Sequence, residues 1–135
     1  MSVNPKILLV EDNDIDKELF EYLCSGKYDI TWVKTLKEAK EILSSENKFD
    51  CLVIDLRLPD STFPNTILEI QKLSKDQPMV VLTGMDEKEL IIGKGALERI
   101  YKYILKYRDN TSDIIQSTID GAIKKRATNG QSAAK

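Results

Sequence analysis

A chain of 135 residues is the size of one ordinary domain and long enough to bury a single core. Its 41% apolar and 31% charged composition argues against disorder, no apolar run reaches the ~20 residues of a membrane span, and Met1-Ser2-Val3-Asn4-Pro5 is not a signal-peptide opening. A formal charge of −2 offers no basic field for nucleic acid, and the lack of any histidine removes Ser-His-Asp and Cys-His catalysis, the usual zinc sites and an internal phosphohistidine.

In chain order, the first predicted strand is 6–10, whose Ile7-Leu8-Leu9-Val10 is a continuous aliphatic run. A helix follows with Ile15, Leu19 and Leu23 at every fourth position, and Asp14 suits its N-terminus. The mixed segment 29–33 reads as an edge strand. Thr35-Leu36-Lys37-Glu38 is a capping-box sequence opening a helix that carries Ala39, Ile42 and Leu43. Strand 51–55 (Leu52-Val53-Ile54) precedes a helix marked by Ile67, Ile70 and Leu73, and strand 79–83 (Val80-Val81-Leu82) precedes the box Asp86-Glu87-Lys88-Glu89 with Leu90 and Ile91. A second mixed strand, 101–105, leads to a last helix through Ile115, Ile119, Ala122 and Ile123, capped by Asn110 or Thr111. Lys124-Lys125-Arg126 is expected to complement that helix's C-terminal dipole, so the domain spans 5–126 and 127–135 is a disordered tail. Cys24 and Cys51 read as reduced core residues of a cytoplasmic protein.

Strand–helix alternation at this spacing predicts an α/β fold, a (βα)₅ doubly wound parallel sheet with its site at the carboxyl ends of the strands. Five polar residues stand at those ends: Glu11 and Asp12 after the first strand, Asp55 after the third, Thr83 after the fourth and Lys106 after the fifth. Singly, each has an ordinary explanation: a helix cap, a turn aspartate, a turn threonine before Gly84, a surface lysine. Jointly they place three carboxylates on one rim, where mutual repulsion calls for a cation, and an all-oxygen donor set suits Mg²⁺ or Mn²⁺. The acidic Glu-Asp-Asn-Asp loop excludes a dinucleotide-binding turn, and no Gly-x-x-x-x-Gly-Lys-[Ser/Thr] is present.

Lys-Ile-Leu-Leu-Val-Glu-Asp-Asn (6–13), Phe-Asp-Cys-Leu-Val-Ile-Asp-Leu-Arg-Leu-Pro-Asp (49–60), Val-Val-Leu-Thr-Gly (80–84) and Tyr-Ile-Leu-Lys (103–106) together resemble the receiver domain of two-component response regulators, a flavodoxin-like fold. The resemblance covers about residues 5–126. It implies that Asp55 is the phosphoacceptor and that Asp12, Asp55 and the Arg57 backbone carbonyl ligate Mg²⁺, with Glu11 supporting. It also implies that Lys106 pairs with the phosphoryl oxygens, that Thr83 donates its hydroxyl to one of them, and that Tyr103 rotates with the state of the site. Ile91, Ile92, Tyr101 and Tyr103 would then form the responding face.

With no histidine here, the phosphoryl group must come from a partner histidine kinase or phosphotransfer protein. The expected output is contact with a downstream protein or onward relay, as a monomer or a phosphorylation-dependent dimer, with no nucleic acid and no membrane. Competing readings are a phosphorylation-independent pseudo-receiver, a receiver cut from a larger hybrid kinase or regulator, and a metal-dependent phosphatase. Two positions depart from the family pattern: Tyr107 follows Lys106 where proline is usual, which argues against a cis peptide there, and Phe63 stands near a usual glycine. Placing Gly95-Ala96 at the family spacing would select Lys102 in place of Lys106; Lys106 is preferred because Tyr103 then takes the aromatic position.

Overall fold

The computed structural model describes residues 3–45, 48–74, 76–92, 95, 98 and 100–133. Among them the elements alternate as β1 (Lys6–Val10), α1 (Asp14–Cys24), β2 (Asp29–Val33), α2 (Leu36–Ser44), β3 (Cys51–Ile54), α3 (Asn65–Ser74), β4 (Met79–Thr83), α4 (Glu87–Ile92), β5 (Lys102–Leu105) and α5 (Ser112–Ala133). The strands form one parallel sheet in the order β2-β1-β3-β4-β5. The three aliphatic runs lie inside the sheet, buried on both faces, and the two mixed strands lie at its edges.

Alternation along each strand sends side chains to two cores. Leu8, Val10, Leu52, Ile54, Val81 and Leu105 pack with Ala39, Leu43, Ile67, Ile70 and Leu90 of α2, α3 and α4. On the other face Ile7, Leu9, Val53, Val80, Leu82 and Ile104 pack with Phe20 and Cys24 of α1 and Ile115, Ile119 and Ala122 of α5. Both cysteines are buried free thiols. No helix among the described residues is long and apolar enough to cross a membrane.

The helix starts follow local chemistry. Thr35 caps α2 by accepting from Glu38 N at 3.1 Å, and of the two candidate caps for α5 it is Thr111 that accepts, from Ile114 N at 3.3 Å.

Two expectations about helices are corrected. The buried line of α1 is not Ile15, Leu19 and Leu23: Ile15 is 75% exposed, Leu19 is also exposed, and Leu23 is only partly buried. Spacing by four does not say which of two adjacent lines faces inward, and the sheet takes the line one residue on, through Phe20 and Cys24. The second concerns α5, whose backbone stays helical to Ala133, so Lys124, Lys125 and Arg126 are interior to the helix and do not cap its dipole. Arg126 instead donates to Phe49 O at 3.1 Å and pairs with Asp76, and Lys125 lies over the Tyr101 ring. Helix propagation needs one hydrogen bond per residue and no buried stripe, so helical backbone continues where apolar periodicity stops.

Candidate functional site

In this strand order the winding of the sheet reverses between the parallel strands β1 and β3, and the crevice at their carboxyl ends is where such sheets bind ligands. Glu11 and Asp12 leave β1 there and Asp55 leaves β3, its N–H still donating to Val10 O at 2.9 Å. A ligand oxygen from each of Glu11, Asp12 and Asp55 lies within 4.8 Å of the other two. The set is all oxygen and compact, with Asp12 exposed and Glu11 and Asp55 buried, which fits a small hard cation reached from solvent.

Lys106 closes the site. Its backbone N–H donates to Thr83 O at 2.8 Å, which fixes the register of β5, and its Nζ donates to Glu11 Oε1 (2.6 Å), Asp16 Oδ2 (2.8 Å) and Asp55 Oδ2 (3.0 Å). Lys102, the other candidate, opens β5 at an exposed position. Three carboxylates thus share one ammonium, and Asp12 adds a fourth acid to the cluster. The surplus falls on the most enclosed acid: burial, opposed by Lys106 and reinforced by the charge of Asp55, pushes the Glu11 carboxyl up to about 7. Burial disfavours the Lys106 ammonium, but Asp55, Asp16 and Glu11 outweigh it and hold its pKa above the ordinary lysine range.

Thr83 is fully buried and its Oγ1 accepts from Met85 N at 3.2 Å, leaving the hydroxyl proton free to donate. Tyr103 pairs in register with Val81, two residues before Thr83, so Thr83 and Tyr103 share a sheet face. There Tyr103 is half-buried against the core that includes Met85 and Leu105. Tyr101, two residues back along β5, is exposed at 37%, while the side chains of Ile91 and Ile92 lie outside the described residues. Arg57 N approaches Asp55 Oδ1 at 3.4 Å, and its guanidinium reaches across to Glu89 on α4 at 2.5 Å. Among the described residues the cis peptide is Phe63–Pro64; Lys106–Tyr107 is trans, as Tyr107 implies.

Three contributors were not singled out from the sequence. Asp16 sits in the first turn of α1 on the line that continues through Phe20 and Cys24, so the rotation that exposes Ile15 turns Asp16 toward the rim. Trp32 on β2 donates its indole N–H to Glu11 O at 2.6 Å and is flanked by Lys17 and Lys34 at 4.8 and 4.9 Å from the ring. Asp60 accepts from Leu36 N (2.8 Å) and Lys37 N (3.0 Å), joining the loop after β3 to the start of α2. Of these, only Asp60 had a local signal, an acid in a Pro-Asp turn; the other two depend on tertiary placement.

Residues 7–119 match the family model of the response regulator receiver domain. The swarming motility regulation protein RssB of Serratia marcescens is 31% identical over 87 residues, 64% of this chain but only 39% of that protein's length. The non-phosphorylated HemR receiver domain of Leptospira biflexa superimposes with a TM-score of 0.69 at 34% identity, covering 89% of this chain and 94% of that one. The receiver domain of the sensor histidine kinase PA1611 of Pseudomonas aeruginosa PAO1, solved with magnesium in its active-site cleft, gives a TM-score of 0.77 at 21% identity, over 90% and 99% of the two chains.

Proposed function

The chain belongs to the response regulator receiver domain family, and we propose on that premise that it is a signalling switch phosphorylated on Asp55. The observation that carries this reading is the Lys106 ammonium 3.0 Å from an Asp55 carboxylate oxygen, inside an acidic cluster at the β1/β3 crevice. An Asp55 oxygen attacks the donor's phosphorus in line; the acyl–phosphate bond forms as the donor's bond to phosphorus breaks, and the leaving group takes that electron pair. Lys106 neutralises charge on the transferred group, and the Thr83 hydroxyl donates to one of its oxygens. Asp12, Asp55 and the Arg57 carbonyl would hold Mg²⁺ or Mn²⁺, with Glu11 supporting, a reading consistent with the magnesium in the cleft of PA1611. The cation supplies charge neutralisation at the phosphoryl oxygens.

The donor is a histidine kinase or phosphotransfer protein, since this chain has no histidine of its own. Movement of Thr83 toward the phosphoryl group opens space on the face it shares with Tyr103, and the tyrosine's inward rotation changes the surface near β5. We place the protein in the cytoplasm, signalling through protein contacts as a monomer or a phosphorylation-dependent dimer, with 5–126 as the working domain.

Incubation with Mg²⁺ and acetyl phosphate, followed by intact mass, tests the assignment. One hydroxylamine-labile phosphoryl group is expected, absent in Asp55→Asn. An adduct that persists in Asp55→Asn refutes Asp55 as the acceptor, and none in the wild type with several donors leaves a phosphorylation-independent binding module.

A further inference from the structure

Asp16 occupies the third residue of α1, where an acid is ordinarily explained by the helix dipole, and its backbone N–H is already held by the Asn13 cap at 2.9 Å. Its carboxylate does something the dipole does not require: it reaches a lysine 90 residues away and accepts from Nζ at 2.8 Å. Lys106 has three N–H donors, and each is used by a carboxylate on a different segment: Glu11 after β1, Asp16 on α1, Asp55 after β3. Only 15% of the lysine side chain is exposed, so the tripod is partly screened from water.

The three bonds are not equivalent. Glu11 and Asp55 belong to the oxygen cluster suited to a cation, and Asp16 does not. Any cation that draws on Glu11 and Asp55 competes with Lys106 for those oxygens and leaves the Asp16 bond uncontested. Resting on the assignment of Asp55 as phosphoacceptor, we propose that Asp16 is a positioning residue for phosphoryl transfer. It tethers Lys106 when the cation takes the other two carboxylates, so that the two released N–H groups point at the phosphoryl oxygens. A lysine ammonium sits on a flexible four-carbon stem, so one fixed N–H restricts where the other two can point. The capped first turn of α1 and the buried Phe20 and Cys24 on the same helix line hold Asp16 in place.

The test is a double-mutant cycle in the full chain, with acetyl phosphate and Mg²⁺. Asp16→Ala should slow acylphosphate formation by about tenfold, an effect typical of lost orientation, and Asp16→Asn, which keeps an acceptor oxygen, by less. In a Lys106→Ala background the Asp16→Ala effect should vanish, which a general loss of stability would not do. Independently of phosphorylation, the Lys106 ammonium should give a slowly exchanging ¹⁵N-correlated proton signal with Mg²⁺ bound in the wild type and lose it in Asp16→Ala. Equal rates in wild type and Asp16→Ala, an undiminished effect in the Lys106→Ala background, or a persisting ammonium signal in Asp16→Ala overturns the proposal. If the wild type accepts no phosphoryl group, the assignment of Asp55 falls, and the ammonium signal alone decides whether Asp16 is the tether.

Discussion

Glu11 is 2% exposed, accepts from Lys106 and from Asn13 N, and still carries a carboxyl raised to about 7, because desolvation and the Asp55 charge exceed what one shared lysine returns. In the unfolded chain the same carboxyl titrates near 4.5. Between those values the folded protein binds the extra proton, so the contribution of Glu11 to stability is complete below about 4.5 and is lost as pH rises to about 7. Comparison with Glu11→Gln isolates this group, since the other residues titrate in both proteins. Urea unfolding in the presence of a chelator should show the wild type losing on the order of 1–3 kcal/mol relative to Glu11→Gln over that range. A difference that stays flat, or that moves in favour of the wild type as pH rises, contradicts the buried-carboxylate account. The convergence of Asp55 and Lys106 on one rim was legible from strand ends alone, whereas the raised Glu11 carboxyl was not, because it depends on how many acids share one cation.

At the scale of elements, α2 is capped by two segments. Thr35 satisfies Glu38 N, and Asp60, from the loop after β3, satisfies Leu36 N and Lys37 N. Burial works against the Asp60 charge, but those two backbone donors hold its carboxyl below the ordinary value. The loop carrying Asp60 is itself stiffened by the Leu58–Ser61 bridge and by Thr66, whose hydroxyl donates to Leu56 O at 2.9 Å. Asp60→Ala should therefore cost about 1 kcal/mol, within the range for losing a helix cap, and speed amide exchange at Leu36 and Lys37. Unchanged exchange at those two amides would show that the cap contributes nothing. The capping box at Thr35 was visible in sequence because its partners are three residues apart; the Asp60 half was not, because its partner lies 24 residues away. Helix rotation shows the same divide. Spacing alone chose Ile15, Leu19 and Leu23 for α1, and only the fit against β1 and α5 turned Phe20, Cys24 and Asp16 inward.

Across the whole molecule, the edge positions followed from composition: two-sided burial needs continuous aliphatic runs, which β1, β3 and β4 have, so β2 and β5 were left for the edges, while the order of the inner three is fixed by the crossovers. That order sets β1 beside β3 and thereby forces Glu11, Asp12 and Asp55 together whatever their mutual repulsion. Three carboxylates held this close repel one another, and a cation bound among them would relieve that repulsion. Replacing Asp55, which is 8% exposed, by Asn removes one buried negative charge while keeping an oxygen for Lys106. Without metal, Asp55→Asn should be more stable than the wild type by on the order of 1 kcal/mol. Added Mg²⁺ should reverse the ranking, since saturation at a hundred times the dissociation constant stabilises the wild type by about 2.7 kcal/mol and the variant by far less. Paired urea titrations with chelator and with Mg²⁺ measure both quantities. A variant less stable than the wild type under chelation would mean that Lys106 alone balances the cluster, and equal stabilisation of both proteins by Mg²⁺ would place the cation elsewhere.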